Sequence, residues 1–170
     1  MLDDVRSVLK RLLLNPDEVF SSGSPILSHS IRYYLTLQFL PTGLLSSYSM
    51  MYLLGISEFY PEWYATIMVG IFFNLASLIF YSVLLHIVIA MLGGKGGFYS
   101  TIMINVLSTS FYFILGFVPL INIAAMAYGV YVQFIGVRAR HGLSRWAAVF
   151  SIAFSSLSFV LLPYSIAYYL

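Results

Sequence analysis

Between Trp63 and Leu92 the chain carries no Asp, Glu, Lys or Arg and is apolar almost throughout. About 20 such residues in an α-helix cross the roughly 30 Å of hydrocarbon in a bilayer. A stretch of this length crosses with enough left over to tilt or to project beyond the core. Four more apolar stretches accompany it, at about 31–54, 98–118, 120–137 and 146–169. Hydrophobic residues make up 61% of the sequence and charged residues 8%, against about 25% charged in soluble domains. So few charges would not keep a globule of this size dispersed in water. The expected fold class is therefore all-α: a bundle of five transmembrane helices preceded by a short amphipathic helix. Residues 1–30 would form a cytosolic segment and residues 31–170 the membrane domain.

Proline and glycine punctuate these stretches. Pro41 and Gly43 near the middle of the first predict a kink. Gly116 and Pro119 predict a tight turn between the third and the fourth, because neither favours an uninterrupted helix. A re-entrant hairpin is the alternative to two full crossings there.

Lys and Arg set the orientation. Arg6, Lys10, Arg11 and Arg32 precede or open the first span, Lys95 follows the second, and Arg138, Arg140 and Arg145 follow the fourth. Five crossings put all of them on one side, while Glu58 and Glu62 fall on the other. The reading is N-terminus in, C-terminus out, multi-pass in the cytoplasmic membrane, or in an endomembrane if the cell is eukaryotic. Tyr60, Trp63, Tyr64, Trp146, Tyr168 and Tyr169 sit at span ends, where amphipathic rings favour the headgroup boundary.

At the N-terminus, Leu2, Val5, Leu9, Leu12 and Leu13, with Val8, repeat at helical spacing, and Arg6, Ser7, Lys10 and Arg11 fill the opposite arc. Such a helix lies in the headgroup plane or packs on the protein's own cytosolic face. Asn15-Pro16 ends it and opens another short helix, with Asn15 as N-cap and Glu18 placed for a capping box, closing near residues 21–23. A charged opening followed by Asn15-Pro16-Asp17-Glu18 is not the pattern of a cleaved signal peptide.

No Asp or Glu falls inside any span, and cysteine is absent. Carboxylate proton relays, aspartyl-type and metal-dependent membrane hydrolysis and thiolate chemistry all lack their groups. The expectation is a non-enzymatic protein without cofactor or metal. His86 stands alone inside the second span, with no acid or second histidine in evident register. Asn74, Asn105, Asn122 and Gln133 are explained by interhelical hydrogen bonds of about 0.6 kcal/mol each. Small residues four apart (Gly43 with Ser47, Gly70 with Asn74, Ala125 with Gly129, Ser151 with Ser155) allow close helix approach, within the chain or between two copies. Gly93-Gly94-Lys95-Gly96-Gly97 lacks the Gly-Lys-Ser/Thr ending of a phosphate loop and reads as a flexible turn. Arg138, Arg140, His141 and Arg145 cluster around Gly142, where they enforce topology and are placed for anionic headgroups or an acidic partner. A net charge of +2, with no basic stripe interleaved with aromatics, gives no case for nucleic acid.

The order of parts resembles the Yip family, the Rab/Ypt-interacting small membrane proteins. The resemblance rests on the Asn15-Pro16 element ending in Phe20, the pair of spans before Gly93-Gly94-Lys95-Gly96-Gly97-Phe98, the Pro119 break, and Arg140-His141-Gly142-Leu143-Ser144-Arg145-Trp146-Ala147-Ala148 opening the last span. It covers residues 15–155. It implies a five-helix bundle with a cytosolic N-terminus; eukaryotic members are associated with Rab GTPases and vesicle formation. The N-terminal segment here is short, as in the prokaryotic relatives, and no catalytic residue carries over.

The functional expectation is a protein that organises membrane or recruits partners through a cytosolic face. Arg6, Lys10 and Arg11 would serve headgroup contact, and Lys95, Arg138, Arg140 and Arg145 lipid or partner contact. The alternative is a small transporter, channel or accessory subunit of a transport or respiratory complex, with Asn74, His86, Asn105 and Asn122 facing one cavity.

Overall fold

The computed structural model describes residues 2–21, 30–53, 62–115 and 119–169; no strand occurs among them. They form α1 (Leu2–Leu14), α2 (Pro16–Ser21), α3 (Ser30–Phe39), α4 (Pro41–Leu53), α5 (Trp63–Met91), α6 (Phe98–Leu115), α7 (Pro119–His141) and α8 (Arg145–Tyr169). Two of these, Trp63–Met91 and Phe98–Leu115, are long and apolar enough to cross a membrane. Gly116, Glu58 and Tyr60 lie outside the described residues, as do the side chains of Leu2, Val5, Tyr168 and Tyr169.

The bundle exposes large apolar side chains on its outside and buries polar ones among its apolar core. Phe72 on α5, Ile123 on α7 and Leu157 on α8 are 70%, 69% and 57% exposed, while Gln38, Asn74, Ser82, Asn105 and Gln133 are buried. Water would favour the reverse arrangement, and exposed apolar surface on this scale marks contact with lipid or with another protein.

The N-terminal helices pack on the bundle. Val8 and Leu12 of α1 are buried in the same core as Val19 and Phe20 of α2. The Phe20 ring closes against Gly136 of α7 beside Ile104 of α6. Tyr128 of α7 donates its hydroxyl to the Leu12 carbonyl at 2.6 Å and reaches the Leu13 carbonyl at 3.4 Å. A helix end leaves its last carbonyls without intrahelical donors, and Tyr128 supplies one. Of the two arrangements expected for this helix, packing on the protein's own face is the one seen, with its Val8–Leu12 side spent on the bundle. Arg6, Lys10 and Arg11 are exposed, as are Leu13 and Leu14 at the end of the helix.

The predicted kink at Pro41 is a sharper break. Gln38 donates to the Ile71 carbonyl at 3.1 Å, while Ser47 accepts from Asn74 at 3.0 Å. Ile71 and Asn74 are neighbours on α5. Nine residues of straight helix would separate Gln38 from Ser47 by about 13 Å, so the chain bends sharply between α3 and α4. Gly43 permits this: its Cα sits so close to the Leu37 and Gln38 carbonyls that a side chain there has no room. The chain still travels the bundle, from Phe20 at Gly136 to Met51 beside Gly70, but through two short offset helices.

The small-residue faces are consumed internally. Gly70 and Asn74 meet Ser47 of α4, and Gly129 meets the Ser108 carbonyl of α6. Ser151 and Ser155 are fully buried on α8. None of these faces remains open for a second copy.

Candidate functional site

Two places gather the polar residues singled out above. The first lies at the end of the bundle where α5 turns into α6 and α7 into α8. Gly93, at φ +83°, closes α5, with the Gly94 amide bonded to the Ile89 carbonyl and the Gly93 amide to the Ala90 carbonyl. This is a Schellman termination, for which a residue without Cβ is best suited. Gly142, at φ +68°, closes α7, its amide bonded to the Arg138 carbonyl at 3.0 Å.

The two turns are joined. The Lys95 amide donates to the His141 carbonyl at 3.1 Å. A Cβ on Gly96 would stand 2.6 Å from His141 Nδ1 and 2.7 Å from the Arg140 carbonyl. The glycine turn, expected to be loose, is thus fitted onto the arginine turn. Lys95, Arg138 and Arg145 are exposed on this joined surface; Arg140 is half-buried, with its Nε buried and unpartnered. The Arg138 guanidinium lies 5.5 Å from the centroid of Phe134. Neither turn contains an acid. Trp146 and Met91 flank them, 84% and 81% exposed.

Beneath this surface His86 has a companion. Its Nδ1 is 3.0 Å from Thr101 Oγ1, which is 3.2 Å from His141 Nε2. The ring centroids are 6.1 Å apart. His141, read from sequence as one of the surface cluster, is instead 1% exposed. The missed signal was position: His86, Thr101 and His141 each fall within about a turn and a half of the same bundle end. Burial first, and then the neighbouring His86, depress the His141 pKa below its ordinary 6.5, with the Gly96 backbone opposing them in part. A depressed folded-state pKa means the unfolded chain binds more protons in that window, so stability is lost as pH falls below about 6.5. Thr101 has one hydroxyl proton to give, so the chain closes best when one facing ring nitrogen is bare. The melting temperature is expected to fall between pH 7 and pH 5, and His141→Gln to flatten that slope. An unchanged slope in the variant would refute the assignment.

The second place is a cavity of about 470 Å³ walled by α5, α6 and α7 and touched by α3 and α8. Asn74, Asn105, Asn122, Gln133 and Tyr81 all line it. The three asparagines expected to face one cavity do so; His86 does not. Asn105 donates to Ser82 Oγ at 2.8 Å and accepts from Gln133 at 2.7 Å. Gln133 also donates to the Tyr81 hydroxyl at 3.1 Å, which is 3.1 Å from Ser156 Oγ. These bonds tie α5, α6, α7 and α8 together at one level.

Among the described residues no group of His, Asp and Glu is placed to hold a metal ion. Comparison with protein-family models, with characterised proteins and with solved structures gives no match for the chain. The likeness to the Yip family therefore stands on the order of its motifs alone.

Proposed function

We propose that the chain is a five-span, N-in, C-out membrane protein whose cytosolic face holds anionic lipid headgroups and so organises the membrane around it. The observation that carries this is the joining of the glycine turn to the arginine turn through His141. It presents Lys95, Arg138 and Arg145 together, without an acid in either turn, beside Trp146 and Met91. Cations next to exposed apolar side chains at a span end suit the headgroup boundary. The apolar exterior, with polar side chains kept inside the core, supports lipid as the solvent. Two short helices replacing one straight first span still carry the chain from the arginine end of α7 toward the opposite end, which supports an odd number of crossings. The same surface in the Yip-like reading would recruit a protein partner; exposed Trp146 and Met91 beside the cations favour headgroups.

Each Lys or Arg near an anionic surface contributes about 1 kcal/mol. The Lys95→Glu/Arg145→Glu double variant is therefore expected to bind phosphatidylglycerol at least tenfold more weakly, about 1.4 kcal/mol per tenfold. Native mass spectrometry in mild detergent, with phosphatidylcholine as the comparison lipid, measures this. Equal phosphatidylglycerol retention in the double variant and the parent would overturn the reading, and an acidic protein partner would then be sought for the face.

A further inference from the structure

We infer that the cavity between α5, α6 and α7 is a binding site for an uncharged, lipid-soluble molecule bearing a hydroxyl group on an apolar body. Its size falls within the range of about 300–1,000 Å³ typical of small-molecule sites. The lining contains no Asp, Glu, Lys, Arg or His. A charged ligand would therefore be desolvated there with no counter-charge to offset the loss of water. Neutral chemistry is what remains.

Within the cavity the polar groups are unequally occupied. Asn105 and Gln133 spend their carboxamides on each other and on Ser82 and Tyr81. Asn74 donates to Ser47. Asn122 differs: its side-chain oxygen is buried without a hydrogen-bond partner. A buried acceptor left without a donor is costly, and a ligand hydroxyl in the cavity satisfies it once the Asn122 side chain turns towards the ligand. The rest of the wall mixes apolar Leu78, Phe113, Ala125 and Val130 with Tyr34, Ser108 and Thr109, whose hydroxyls already donate to backbone carbonyls.

The rim indicates the route of entry. Met126 and Val130 line the cavity and are 59% and 54% exposed on the side of α7. The opening is thus lateral, between apolar side chains. Towards the histidine end, Asn105 and its bonds to Ser82 and Gln133 close the bundle. A molecule already dissolved in the bilayer reaches such an opening directly. The inference requires the membrane reading but not the headgroup reading, since the cavity and the cationic turns share no residue.

The test uses 1,2-dioctanoylglycerol and its methyl ether, which lacks the hydroxyl proton, added to the full chain in mild detergent. The free alcohol is expected to raise the melting temperature saturably and the ether to do so at least tenfold more weakly. Asn122→Leu is expected to erase the difference between them. Failure of the alcohol to stabilise the parent chain, or equal effects of alcohol and ether on it, would overturn the proposal without recourse to any variant. Saturable stabilisation by glycerol alone would overturn the lipid source. Loss of phosphatidylglycerol binding in the cation-reversed chain, with alcohol binding kept, would separate this site from the headgroup face.

Discussion

Gly129→Ala is expected to destabilise the bundle by about 1–3 kcal/mol, the range for adding a methyl group where no space exists. A Cβ at this position would stand 2.6 Å from the Ser108 carbonyl oxygen, well inside van der Waals contact. The neighbour is backbone, so no rotamer change relieves it. The two helices must separate, and α6 and α7 form the most extensive helix–helix contact in the molecule. Separation would also loosen Phe111 against Tyr128, whose ring centroids are 4.9 Å apart, and with Tyr128 the support of the α1 end. The matched control is Gly97→Ala, where an added Cβ meets nothing within 4 Å. Thermal melts in the same detergent should show a clear loss for the first and almost none for the second. Equal melting temperatures would mean that the close approach of α6 and α7 is not what the structure depends on.

How much of this was legible in the sequence follows the range of each signal. Helix ends encoded by one or two residues were partly readable: Asn15-Pro16 between α1 and α2 and the glycine turn after α5 were, whereas Pro41 read as a kink within one span and the fourth span, read to 137, runs on to His141 before Gly142. The polar residues inside the bundle were readable too, because so few exist among long apolar stretches and each needs a hydrogen-bond partner when buried. What a face packs against was not readable. The apolar stripe of α1 is equally suited to lipid and to protein, and only the tertiary placement of α7 brings Tyr128 to its last carbonyls. The pairing of His86 with His141 joins residues far apart in the chain, through a threonine that no motif singles out. Pro41 announced a break, yet its depth depends on Gly43 meeting the carbonyls of the preceding helix.

The polar residues of α6 recur about one turn apart and divide the bundle into levels. Thr101 serves the histidines, Asn105 the cross-helix bonds, and Ser108 the close contact with Gly129. Apolar surface gives little drive between helices when the surrounding solvent is itself hydrocarbon. Specificity of packing then has to come from backbone approach and from hydrogen bonds, and α6 supplies both at successive turns. The cationic turns lie beyond one end of this ladder and the cavity beside its other half.

Asn105 sits at the middle of that ladder, and Asn105→Leu is expected to cost about 1–3 kcal/mol. The substitution keeps the side chain's approximate size while removing the bond to Ser82 Oγ and the bond from Gln133. Interhelical bonds of this kind average about 0.6 kcal/mol and reach about 1.7. Ser82 keeps its bond to the Leu78 carbonyl at 2.7 Å, so its loss is partial. Gln133 is the vulnerable partner, 5% exposed, with Tyr81 alone left to answer a carboxamide. Removing one partner of a buried pair costs more than removing both. The Asn105→Leu/Gln133→Leu double variant should therefore be more stable than the sum of the two single losses predicts, by about 0.5–3 kcal/mol of coupling. Reversible unfolding in mixed micelles across the four proteins of the cycle measures it. Strict additivity would show that the two carboxamides do not act as a pair, and the level they define across α5, α6 and α7 would have to be explained by shape alone.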